Sequence, residues 1–131
     1  MTDRDLINKA EEARQNAYAP YSRFPVGAAI ECYDGTVITG CNVENASLGC
    51  TLCAERNALG TAVAQGKQSF RRVAISSAGN EYCMPCGACR QVLAEFSTEL
   101  EILCAREDGR YVSYRLSELL PHSFGRSNLG G

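Results

Sequence analysis

Eight cysteines and a single histidine, His122, set the chemistry open to this chain of 131 residues. One imidazole excludes any metal site that needs two or three histidines, so the cysteines are where catalysis has to be sought. Cys53-Ala54-Glu55 and Pro85-Cys86-Gly87-Ala88-Cys89 each fall where the pattern predicts a helix to begin. Cys86 and Cys89, three apart, share one face of a helical turn and can hold one ion. Helix N-termini carry partial positive charge and free N–H donors, which lower a thiol's pKa and favour the thiolate that binds zinc. Three thiolates from two helix ends leave one tetrahedral position open, which is the layout of a catalytic zinc. Glu55, if the helix end faces a cavity, can take a proton from water at the ion and pass it on.

Plainer readings compete at each position. Cys50-x2-Cys53 with Cys86-x2-Cys89 also reads as a closed four-cysteine structural site, and Cys83-x2-Cys86 supplies another pair. Cys86 and Cys89 at a helix start also fit a dithiol redox motif. A glutamate early in a helix is often only a surface residue that offsets the helix dipole.

The elements that must position these residues form one continuous alternation without repeat or composition break. Thr2 or Asp3 caps a first helix whose apolar positions Leu6, Ile7, Ala10, Ala13 and Ala17 keep helical spacing until Pro20. Val26 to Tyr33 and Thr36 to Cys41 flank Asp34-Gly35, a hairpin dipeptide. A loop from Asn42 to Leu52 leads into a helix from Cys53 to about Gln65. Strands are predicted at Arg72 to Ser76, Leu100 to Ala105 and Tyr111 to Tyr114, a helix at Gly87 to Phe96, and a short one at Ser117 to Leu120. The expected fold is α/β, a single domain over 1–131 with a five-stranded mixed sheet sandwiched by helices. The strand-helix-strand steps predict parallel pairs, and the first two strands an antiparallel one.

Composition narrows the partners. A net charge of −2 and an apolar fraction of 45% describe an ordinary globular chain, and no Lys/Arg cluster offers a footprint for nucleic acid. No apolar run approaches the ~20 residues of a membrane span, and Met1 to Pro20 lacks the order of a signal peptide. A small-molecule substrate and a cytoplasmic location are the expectation.

Cys53-Ala54-Glu55-Arg56 followed by Pro85-Cys86-x-x-Cys89-Arg90 resembles the signature of the small, three-cysteine, homotetrameric cytidine deaminases, and this signature is the known mark of zinc base deaminases. Further blocks match in colinear order: Ala19-Pro20-Tyr21-Ser22-x-Phe24-x-Val26-Gly27-Ala28-Ala29, Gly40-Cys41-Asn42-Val43-Glu44-Asn45-Ala46, and Glu118-Leu119-Leu120-Pro121 with Phe124. The resemblance implies one Zn2+ per chain on Cys53, Cys86 and Cys89, with Glu55 as proton shuttle. It implies hydrolytic deamination of cytidine and 2'-deoxycytidine to uridine and 2'-deoxyuridine with release of ammonia, in pyrimidine salvage. It also implies that Arg56 lies against the ligand sulfurs, that Asn42 and Glu44 bind the ribose, and that Phe24 and the Ala54 backbone approach the nucleoside. Phe124 is implied to reach a neighbouring subunit's pocket within a homotetramer. Leu48 stands where such enzymes commonly carry tyrosine. Cys32, Cys41, Cys50, Cys83 and Cys104 receive no catalytic role, and burial as small apolar residues is expected for most of them.

Overall fold

Thr2 opens the first helix by a reciprocal cap: the Asp5 N–H donates to Thr2 Oγ1 (3.1 Å), and the Thr2 N–H donates to Asp5 Oδ2 (3.0 Å). This cap starts α1 (Asp3–Arg14) in the computed structural model, which describes residues 1–130. The helix stops short of Ala17 because tertiary hydrogen bonds take the chain away. The Tyr18 N–H donates to the Asn42 carbonyl (2.9 Å), and the Glu44 N–H donates to the Tyr18 carbonyl (2.8 Å).

Five strands follow: β1 (Val26–Cys32), β2 (Val37–Cys41), β3 (Phe70–Ser77), β4 (Glu101–Ala105) and β5 (Tyr111–Arg115). They form one sheet in the order β2-β1-β3-β4-β5. The β1–β2 turn at Asp34-Gly35 puts Gly35 at φ 89°, a conformation that favours glycine. β1 pairs antiparallel with both β2 and β3, β3 pairs parallel with β4, and β4 antiparallel with β5. Only one strand-helix-strand step therefore yields the parallel pair expected. β2 and β3 run the same way, but β1 lies between them.

Alternation along the strands builds two apolar layers. On one face Ala29, Ala74, Leu103 and Ala105 meet Leu6, Ile7 and Ala10 of α1. On the other, Ala28, Ile30, Val73, Ile75, Ile102 and Cys104 pack with α2 (Ala54–Ala64) and α3 (Gly87–Ala94) through Ala58, Ala62 and Leu93. Full burial of side chains such as Leu6, Ile75 and Leu103 stabilises the fold by roughly 1.5–3 kcal/mol each.

Glycine sets how closely the helices approach. A Cβ at Gly27 would lie 2.0 Å from the Ala10 carbonyl oxygen, so α1 packs directly on β1. A Cβ at Gly40 would lie 2.6 Å from the Ala58 nitrogen, so α2 rests on β2 with no side chain between them. A short helix, α4 (Leu116–Leu119), and a 3₁₀ turn (Arg126–Leu129) follow β5. Among the described residues, no helix is long and apolar enough to cross a membrane.

Candidate active site

The two helices on the Ile30–Ile75 face begin side by side. Cys53 is the N-cap of α2, Cys86 is the N-cap of α3, and Cys89 lies in the first turn of α3. The Cys53 and Cys86 thiols both turn toward a common point, where Cys86 also meets the thiol of Cys89. The Sγ atoms of Cys53 and Cys86 are 3.9 Å apart, those of Cys86 and Cys89 are 3.4 Å apart, and all three lie within 4.8 Å of one another. Tetrahedral zinc with Zn–S bonds of about 2.3 Å sets its sulfurs about 3.8 Å apart, so the donor set fits that ion.

Two thiols of the trio are shifted in opposite directions: burial and the Glu55 charge beside it push Cys89 well above the ordinary thiol value. Burial opposes ionisation at Cys86, yet its hydrogen bonds with the Cys89 backbone and thiol and with Cys53 hold its pKa below the ordinary thiol value. Arg56 stands where compensating charge is needed. Its Nη2 lies 3.6 Å from Cys53 Sγ and 3.4 Å from the Thr51 carbonyl oxygen. Three thiolates on a divalent ion would leave about one net negative charge, which a guanidinium at this place and the two helix N-termini would offset.

Glu55 occupies the first turn of α2 and is only 5% exposed. Burial pushes its carboxyl above the ordinary range, against hydrogen bonds from its own N–H and from Cys89 and the attraction of Arg56. Residues two apart on a helix do not share a face. Here Cys53 precedes the helix, so both side chains can border one cavity. That cavity, about 180 Å³, is lined by Val26, Asn42, Thr51, Cys53, Ala54, Glu55, Cys83, Met84 and Cys86.

The other cysteines divide differently from expectation. Cys32 and Cys104 are buried, whereas Cys41 and Cys83 are half-buried and Cys50 is exposed. Cys50 lies outside the trio, with its Sγ 3.6 Å from Ser47 Oγ, so the closed four-cysteine site is not formed. Cys83, whose place in the cavity wall its sequence does not disclose, is pushed up to about 11 by burial and by the Glu55 charge beside it. It is therefore a neutral thiol at physiological pH.

Asn42 and Glu44 are firmly held. Asn42 Oδ1 accepts from the Val26 N–H, and its Nδ2 donates to the Phe24 carbonyl, both at 2.9 Å. Glu44 Oε1 accepts from the Tyr21 N–H (2.9 Å) and the Ser22 N–H (3.1 Å), and Oε2 accepts from the Ser22 hydroxyl. Asn42 reaches the cavity wall, whereas Phe24 and Glu44 stand outside that lining. The Phe24 ring lies beside Gly79. Phe124 is exposed on a separate hollow with Gln91, Glu95 and Leu129, away from its own chain's cavity. Leu48, in a 3₁₀ turn (Leu48–Cys50), is 76% exposed. Arg90, quoted in the sequence pattern without a role, ties the start of α3 to α4 by donating to the carbonyls of Pro85 and Leu119, each at 2.8 Å.

The chain is similar to known proteins. Residues 1–104 match the family model described as the cytidine and deoxycytidylate deaminase zinc-binding region. A cytidine deaminase of Sporosarcina psychrophila is 42% identical over 125 residues, covering 95% of this chain and 92% of that protein. One from Halalkalibacterium halodurans is 45% identical over 120 residues, 91% of each chain. The crystal structure of a Burkholderia pseudomallei cytidine deaminase superposes with a TM-score of 0.92 at 45% identity, covering 95% of this chain and all (100%) of that one.

Proposed function

We propose that this chain, which belongs to the cytidine deaminase family, hydrolytically deaminates cytidine and 2'-deoxycytidine to uridine and 2'-deoxyuridine, releasing ammonia. The observation that supports this reading is the cavity bordered both by two thiols of the trio and by a buried carboxylate.

The division of labour follows from the positions. A zinc ion on Cys53, Cys86 and Cys89, one per chain, supplies the Lewis acidity that makes water nucleophilic near neutral pH. Glu55 takes the proton of the attacking water and delivers it to ring N3, which makes C4 electrophilic. Glu55 then takes the proton of the new C4 hydroxyl and passes it to the amine, so that the C4–N bond breaks, ammonia leaves and the C4 carbonyl forms. Arg56 keeps the sulfur cluster from accumulating negative charge. The Ala54 backbone contacts the base, and Asn42 and Glu44 receive the ribose beside Phe24. A site built to bond a sugar discriminates against the free base, whose absence of hydroxyls leaves those groups unpaired.

The chain acts as one catalytic domain over 1–131 in a cytoplasmic homotetramer devoted to pyrimidine salvage, with Phe124 of each subunit completing a neighbour's pocket. The exposure of Phe124 supports that assembly. The test is ammonia release by zinc-loaded protein offered cytidine, deoxycytidine and cytosine, with elemental analysis and sedimentation. Turnover of both nucleosides but not the base, one zinc per chain and a tetrameric mass are expected. No ammonia from either nucleoside, at full zinc occupancy, overturns the reading.

A further inference from the structure

We infer that Ser22 is a positioning residue, whose hydroxyl fixes Glu44 and the Phe24 backbone together so that Glu44 keeps one acceptor site for a single sugar hydroxyl. The inference rests on the proposed role of Glu44 in holding ribose. A carboxylate offers about four lone-pair sites. The N–H groups of Tyr21 and Ser22 occupy two on Oε1, and the Ser22 hydroxyl occupies one on Oε2. One site remains, on Oε2.

The same hydroxyl works in two directions. While Ser22 Oγ donates to Glu44, it accepts from the Phe24 N–H at 3.1 Å. Phe24 is held from its other side by Asn42 Nδ2 on its carbonyl. Ser22 thus joins Glu44 to Phe24, and Asn42 joins Phe24 to Val26 at the cavity wall. The intervening Arg23 sits at φ 57°, a left-handed conformation that non-glycine residues adopt only when neighbours hold it. The Ser22 hydroxyl is one of those restraints. The hydrogen bonds from Ser22, first its side chain and then its backbone, together with that from Tyr21, hold the Glu44 carboxyl below its ordinary pKa, so it stays an anion and an acceptor.

The experiment compares wild type, Ser22→Ala, Ser22→Thr and Glu44→Gln, all zinc-loaded, by KM and kcat for cytidine and by the inhibition constant of 2',3'-dideoxycytidine. Loss of one charge-assisted hydrogen bond predicts that Ser22→Ala raises KM for cytidine about tenfold while kcat stays within about twofold. Binding of the dideoxynucleoside is expected to stay unchanged in Ser22→Ala, and Ser22→Thr restores the wild-type KM. Glu44→Gln reports on the underlying role independently, and it is expected to weaken cytidine but not dideoxycytidine. An unchanged KM in Ser22→Ala, with a raised KM in Glu44→Gln, overturns the role of Ser22. Equal weakening of both nucleosides in Ser22→Ala, or a lowered kcat with zinc loss, also overturns it in favour of a merely structural residue. No change in Glu44→Gln overturns the sugar-binding role of Glu44 instead.

Discussion

Gly40→Ala should damage the metal site without touching it. The added Cβ would lie 2.6 Å from the Ala58 nitrogen, 2.8 Å from the Ala54 carbonyl oxygen and 3.0 Å from the Ala58 Cα. All three are backbone atoms, so no side chain can rotate away. Ordinary contact begins at 3.4 Å, and α2 must therefore withdraw from β2 by about 0.8 Å. α2 begins immediately after Cys53, whereas Cys86 and Cys89 ride on α3 and stay behind. Metal–ligand distances tolerate about 0.2 Å, so a displacement several times larger forces either strained coordination or a strained helix. Overpacking of this kind costs about 1–3 kcal/mol, equivalent to a fall in Tm of about 4–12 °C for a domain of this size. Gly60→Ala is the matched control, because Gly60 lies in the same helix and a Cβ there would meet nothing within 4 Å. That change should stabilise by about 0.5–1 kcal/mol. Thermal melting and competition for zinc with a chromogenic chelator read both effects. A Gly40→Ala protein with wild-type Tm and zinc release would refute the close packing of α2 and its coupling to the trio.

Other perturbations separate the roles assigned above. Arg56→Ala removes the cation 3.6 Å from Cys53 Sγ, and zinc affinity or turnover is expected to fall about 10–100-fold, by chelator competition and steady-state assay. Cys50→Ser should leave zinc content at the wild-type value in elemental analysis, because Cys50 stands outside the trio. Arg72→Ala strips the 2.7 Å partner from Glu31, whose side chain is only 8% exposed, and frees Asp3 as well. Leaving a buried charge uncompensated costs about 3–5 kcal/mol, measurable by urea denaturation.

That cysteines at two helix starts gather was legible in the sequence, and the family resemblance picked out Cys53, Cys86 and Cys89 among them. Thiols at two predicted helix starts can converge only if those starts are neighbours. The choice among cysteines was not legible from spacing, since Cys50-x2-Cys53 and Cys83-x2-Cys86 are as regular as Cys86-x2-Cys89. Tertiary placement decides it, by turning Cys50 outward toward Ser47 and setting Cys83 in the cavity wall. Strand order was hidden for a related reason. Connection lengths do not say that β1 inserts between β2 and β3, although Val26-Gly27-Ala28-Ala29-Ile30, apolar or small on both faces, is what a central strand requires. The early end of α1 depends on the Tyr18–Asn42 hydrogen bond, which no local propensity encodes. Ser22 carries no signal of its own, because a serine in a loop is unremarkable until its hydroxyl is seen between Glu44 and Phe24.

The central claim is that a buried carboxylate moves protons for hydrolysis beside a three-thiol metal site. Absorbance near the cytidine band, followed together with ammonia for zinc-loaded wild type and zinc-loaded Glu55→Gln, tests it most directly. The account predicts that wild type consumes cytidine, while Glu55→Gln keeps its zinc and loses about 10²–10⁴-fold in rate. Equal turnover by the two proteins, or none by wild type with its zinc in place, would contradict it.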